Sequence, residues 1–115
     1  MKQYHLYVFE TPEVLRLALN HCATKVGIAK SLNSRNGDYQ QAYGPVLEMQ
    51  FTATWQGPED EIRWLEGAVL KSFDHKVCAS VRALSEWVDH ARASEVIERV
   101  EQFIKERSLS IKRVD

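Results

Sequence analysis

The stretch from Leu47 to Trp55 constrains the fold most. Leu47, Met49, Phe51, Ala53 and Trp55 alternate with Glu48, Gln50, Thr52 and Thr54. A period of two describes a strand with one buried face and one polar face. Such a strand is stable only within a sheet whose apolar side is covered by another layer. Two other runs can join it. Residues 4–9 are aromatic and β-branched, and residues 24–29 repeat that character before a polar turn.

The covering layer is read as helical. A helix spans about 58 to 74, after Gly57-Pro58 closes the alternating strand, and Glu59, Asp60 and Glu61 occupy its first turn, where the helix dipole favours acids. Ser94 is placed to cap a last helix, in which Val96, Ile97, Val100, Phe103 and Ile104 form an apolar stripe. Two further helices are expected. Thr11-Pro12-Glu13 starts one that carries Val14, Leu15, Ala18, Leu19 and Cys22 on one face. A polar one covers residues 31–43, weakened at Gly37 by roughly 1 kcal/mol relative to alanine and ended by Gly44-Pro45. Residues 76–92 carry no clear period, and the tail from Ser108 reads as frayed or lightly docked. The expected architecture is a single α+β domain over residues 1–115. Its three-stranded, mainly antiparallel sheet is flanked by helices, and residues 93–115 form a C-terminal helical extension for stability or homodimeric self-association.

Composition limits the function classes. The chain has 115 residues, enough for one domain with a core. A net charge of −1 argues against broad non-specific DNA binding, which rests on many phosphate contacts, but leaves room for a local basic face at Lys25, Lys30 and Arg35. No apolar run approaches membrane-spanning length and no N-terminal signal pattern is visible, so a cytoplasmic protein without membrane contact is expected. Cys22 and Cys78 form no CxxC and lie at no zinc-finger spacing from a histidine, and are read as reduced, partly buried thiols.

The segment from Lys25 to Arg35 carries the functional signal. It reads as a strand that stops at Gly27-Ile28-Ala29, then a polar turn, then an arginine ten positions after Lys25. A strand glycine lets another backbone or a phosphate come close, and an arginine beyond it can fork two hydrogen bonds to phosphate. This closely resembles the second half of the GIY-YIG nuclease signature in its phage-type branch, whose strand reads Lys-Ile-Gly-Ile-Thr. The family's first element, a strand ending in tyrosine, is matched by His5-Leu6-Tyr7. Its helix carboxylate is matched by Leu65-Glu66 followed by Val69 and Phe73, and its later Glu-Trp pair by Glu86-Trp87. The resemblance spans residues 4–88. Lys25 stands where many members have tyrosine, Leu70 where many have histidine, and the interval from Tyr7 to Lys25 is longer than usual.

The resemblance implies roles. Glu66 would hold one Mg²⁺ or Mn²⁺ ion, weakly bound without substrate, against the scissile phosphate. Arg35 would neutralise that phosphate, Tyr7 would position the attacking water and Lys25 would assist electrostatically. Gly27 and Lys30 would admit and bind the substrate backbone. Tyr7, Lys25 and Arg35 are then expected to face Glu66 across an open groove. Glu66 also stands out without the family, because a helical wheel sets it inside the stripe of Ile62, Leu65, Val69, Leu70 and Phe73. A carboxylate there must be paired, metal-bound or beside a solvent-filled cleft. Each residue also has a structural reading. The structural reading of Glu66, second to the functional one, is an internal ion pair with an arginine; that of Arg35 is a surface helix arginine, and that of Tyr7 a core aromatic, with Tyr4 competing for its assignment. His5, His21, His75 and His90 are scattered, with His75 nearest the Glu66 helix. Trp64 lies off its helix's apolar stripe and is expected to touch a partner or the C-terminal helix.

The leading expectation is therefore a metal-dependent endonuclease that hydrolyses DNA phosphodiester bonds, of phage or mobile-element type. The alternative is a degenerate GIY-YIG-like module that binds nucleic acid or a host protein without cutting, favoured by the acidic balance, Lys25 and Leu70. A third reading is an interaction protein whose motif match is chance.

Overall fold

A computed structural model describes residues 3–10, 23–32, 51–73, 87–89 and 91–115. The expected helix at 11–22, the expected helix at 31–43 from residue 33 onward, the first half of the alternating strand, most of 76–92, both cysteines, Arg35, His21, His75 and His90 lie outside these residues. The elements run β1 (Gln3–Glu10), β2 (Ala23–Ala29), β3 (Ala53–Pro58), α1 (Glu59–Ser72), β4 (Trp87–Asp89), α2 (Ala93–Arg107) and β5 (Lys112–Arg113). This is an α+β fold, as the sequence predicts. The sheet is antiparallel throughout, in the order β4-β2-β1-β3-β5. It therefore has five strands among the described residues rather than the expected three. The additional two are edge strands of three and two residues, too short for a period of two to show in sequence.

β1 sits at the centre because it is apolar on both sides. Leu6, Tyr7, Val8 and Phe9 are all buried in succession, the run expected of a strand covered on both faces. Register assigns the faces, since cross-strand partners point the same way. Leu6 pairs with Ile28 and Trp55, and Val8 with Val26 and Ala53. This face lies under the helices, in one cluster with Ile62, Leu65 and Val69 of α1 and Ala93, Val96 and Val100 of α2. Tyr7 pairs with Gly27 and Thr54, and Phe9 with Lys25, on the opposite face. Thr54 is buried as well, so the expected polar side of β3 is covered at that position.

Pro58 ends β3 and caps α1 in an extended conformation, so Gly57-Pro58 continues the strand up to the helix instead of breaking it. The three acids of the first turn are present as expected. One of them, Glu61, also accepts a hydrogen bond from the backbone N–H of Ser110 at 2.7 Å. α2 begins at Ala93 rather than after a Ser94 cap, and its N-cap residue, Arg92, makes no side-chain capping bond. The cap comes from across the molecule. Glu10 accepts the Ala93 N–H at 3.0 Å and the Arg92 Nε–H at 2.7 Å, placing a carboxylate at the positive end of the helix. α2 ends at Ser108, in the left-handed conformation (φ 50°, ψ 46°), with the Leu109 N–H donating to the Ile104 carbonyl.

Of the two expectations for the tail, frayed or lightly docked, the structure shows it docked. Ile111 is buried, Val114 donates its N–H to the Thr54 carbonyl at 2.9 Å, and Thr54 donates its N–H to Asp115 Oδ1 at 3.0 Å. Ala93, Val96, Val100 and Ile111 belong to the same core as the sheet, so residues 93–115 complete the fold rather than extend it. Among the described residues no helix is long and apolar enough to cross a membrane.

Candidate functional site

The structure brings three of the sequence-selected residues together. Tyr7 and Gly27 are direct cross-strand partners, and the phenol ring lies over the glycine so closely that a Cβ at position 27 would overlap Tyr7 Cζ and Oη. Glycine is required there for that ring, not for an approaching phosphate. Phe51 packs edge-on against Tyr7 with centroids 5.1 Å apart, and Lys25 Nζ is 6.0 Å from the ring centroid. The ring is fully buried.

Glu66 is not part of this cluster. Its helix packs through Ile62, Leu65 and Val69 on the face that carries Leu6, Val8 and Val26, whereas Tyr7, Lys25 and Gly27 share the other face. Glu66 is half-buried, with Oε2 fully enclosed. Lys30 is exposed just beyond β2. Arg35 lies outside the described residues. No group of three or more His, Cys, Asp or Glu among the described residues could hold a metal ion. Glu66 is the one carboxylate of this helix face that the sequence singles out, and Mg²⁺ is commonly held by one or two carboxylates together with waters and substrate phosphates.

A different surface has the makings of a binding site. A groove of about 580 Å³ runs between α1 and α2, lined by Arg63, Trp64, Lys71, Phe103 and Arg107 around the small residues Gly67 and Ala68. This falls within the roughly 300–1,000 Å³ of small-ligand clefts. Trp64 is held upright rather than buried. Phe103 meets it edge-on at 6.0 Å and 87°, the Arg107 guanidinium lies 5.2 Å from its ring centroid, and 41% of its surface stays exposed. Trp64 thus contacts the C-terminal helix, one of its two expected settings. Arg63 is partly occupied by Glu59, four residues earlier, at 2.8 Å. The hydrogen bond that Arg63 donates to the Glu59 carboxylate is the main reason its pKa is raised above the ordinary range. No carboxylate among the described residues forms an ion pair with Lys71 or Arg107, and none lines the groove.

Sequence reading noted Trp64 but not the cations beside it. A usable signal was present, since Arg63, Gly67 and Lys71 recur every four residues on the face of α1 away from its apolar stripe. The contribution of Phe103 and Arg107 depends on how α2 packs, which no local pattern announces. The chain matches no known protein family model, no curated protein and no solved structure.

Proposed function

We propose that the protein is a nucleic-acid-binding domain of GIY-YIG-like strand arrangement that does not cut its ligand. The observation that carries this reading is the α1–α2 groove, where Arg63, Lys71 and Arg107 surround Trp64 with no carboxylate among the described residues of the lining. Cations satisfy phosphates and an exposed indole gives a base a surface to stack on. The net charge of −1 confines binding to this local patch. With three cations engaged, log affinity should fall with log salt concentration with a slope of about −2 for a single strand.

The test is an anisotropy titration of labelled DNA and RNA, run beside a cleavage assay in Mg²⁺ and Mn²⁺. Salt-dependent binding without cleavage is the expected result. Absence of binding to any nucleic acid at low salt removes the reading.

One observation favours the nuclease reading. Tyr7 and Gly27, the matched residues of the two signature triplets, lie directly opposite each other on adjacent antiparallel strands. Under that reading the wild type cuts DNA with a divalent metal, Glu66→Ala abolishes cutting while keeping DNA affinity, and Arg35→Ala loses both. No cleavage of plasmid, single-stranded or branched DNA under either metal ends it.

A further inference from the structure

We infer that the α1–α2 groove is a single-strand site, which takes one unstacked base on Trp64 and its neighbouring phosphates on Lys71, Arg107 and Arg63. This rests on the nucleic-acid reading above and narrows it to one form of ligand. Three features of the groove point the same way.

The first is the ring. Trp64 keeps 41% of its surface exposed although Phe103 and Arg107 fix its orientation. With Arg107 over the ring and Phe103 edge-on to it, the exposed part of the indole still offers a flat apolar surface, and an unstacked base is the polynucleotide part that matches it. In a duplex the base faces are stacked on each other and only base edges, sugars and phosphates are presented to a protein, so the ring would have no face to stack on.

The second is Gly67. A Cβ built at this position meets nothing within 4 Å, so packing among the described residues does not require a glycine. In the middle of a helix, glycine is less favourable than alanine. Its effect here is to leave open space in the groove beside Trp64, between Arg63 and Lys71, where a planar group can lie.

The third is charge. Among the described residues the lining holds three cations and no carboxylate, and two of the three, Lys71 and Arg107, form no ion pair. An acidic peptide would satisfy these charges but has no planar group suited to the indole. A single strand uses both features.

The experiment compares labelled oligo(dT) and oligo(U) 8-mers with a 12-base-pair duplex and an oligoglutamate peptide, on the full chain and its variants. Trp64→Ala is expected to weaken both single strands by about 5- to 100-fold and leave the duplex unchanged. Lys71→Ala and Arg107→Ala should each reduce the salt slope by about 0.7. Gly67→Leu adds bulk to the groove at a position where a Cβ meets nothing within 4 Å. It should raise the melting temperature and abolish single-strand binding, which separates loss of binding from loss of fold. Equal or tighter duplex binding, with Trp64→Ala and Gly67→Leu without effect, overturns the single-strand assignment and leaves the nucleic-acid reading in place. Binding of oligoglutamate alone, or of no probe, overturns both.

Discussion

Two regions of this molecule use the same three ingredients and put them to opposite ends. On one face of the sheet, Gly27 lies under Tyr7 with Lys25 nearby. Between the helices, Gly67 lies beside Trp64 with Arg107 over the ring. The first glycine is covered by an aromatic ring and the second faces open space. The first ring is sealed and the second is 41% exposed. Glycine, aromatic and cation at close spacing therefore do not by themselves mark a site. What decides is whether the ring has already found its partner inside the protein.

Mutations can break this comparison. The largest effect is expected at the sealed ring. Tyr7→Ala should cost about 3–5 kcal/mol, the range for deleting a buried aromatic, whereas Trp64→Ala should cost no more than about 1 kcal/mol, as for surface positions. Chemical denaturation of the two variants measures both. A Tyr7→Ala protein as stable as wild type would mean that the ring does not seal this face.

Next comes the glycine beneath it. Gly27→Val forces its side chain into the phenol and should cost about 1–3 kcal/mol, as overpacking does. In a Tyr7→Leu background the same change should cost less. A double-mutant cycle reads the difference as coupling between the two positions. Additive effects would separate Gly27 from Tyr7.

The groove glycine should respond with the opposite sign. Gly67→Ala should stabilise the protein by about 0.5–1 kcal/mol, because the helix gains propensity and the new methyl group meets no neighbour. Destabilisation would show that the space is needed by the protein itself.

The smallest effect is expected at a position belonging to neither region. The Asp115 carboxyl is held below its ordinary range, first by the hydrogen bond from Arg113 and then by the N–H of Thr54. A lowered carboxyl contributes stability above its unfolded value, near pH 4, and loses it as pH falls through the folded value. Asp115→Asn should thus cost a few tenths of a kcal/mol at pH 7, as expected for an exposed pair. Melts at pH 7 and about pH 2 should show the gap close.

How far the sequence could be read depended on where the determining contacts lie. β1, β2, α1 and α2 were legible because their patterns are local: apolar runs, a helical stripe and three acids at a helix start. The start of α2 was misplaced because its cap is supplied by Glu10, 83 positions before Ala93. β5 was missed because two residues carry no period and are held by bonds from β3. The run Leu6-Tyr7-Val8-Phe9 did announce two-sided burial, and it bears directly on Tyr7, which the motif match had read as a water-positioning residue. Glu66 was correctly placed on the apolar stripe of its helix. The stripe faces one side of the sheet and Tyr7 the other, a relation fixed by strand register rather than by spacing along the chain.

The sheet's edges also govern how the chain reaches this structure. β4 closes on β2 and β5 on β3, and the bonds that accompany them are distant in sequence. The Thr24 hydroxyl donates to the Ala91 carbonyl 67 positions away, and Asp115 accepts from the Thr54 N–H across 61. Each must be closed against the entropy of a long loop. Folding is therefore expected in milliseconds to seconds rather than microseconds. On the ribosome, β2 and β3 would emerge well before the segments that cover their outer edges. Until then both would offer unpaired backbone groups to other chains, so crowding during synthesis is where this protein is most exposed to mispairing.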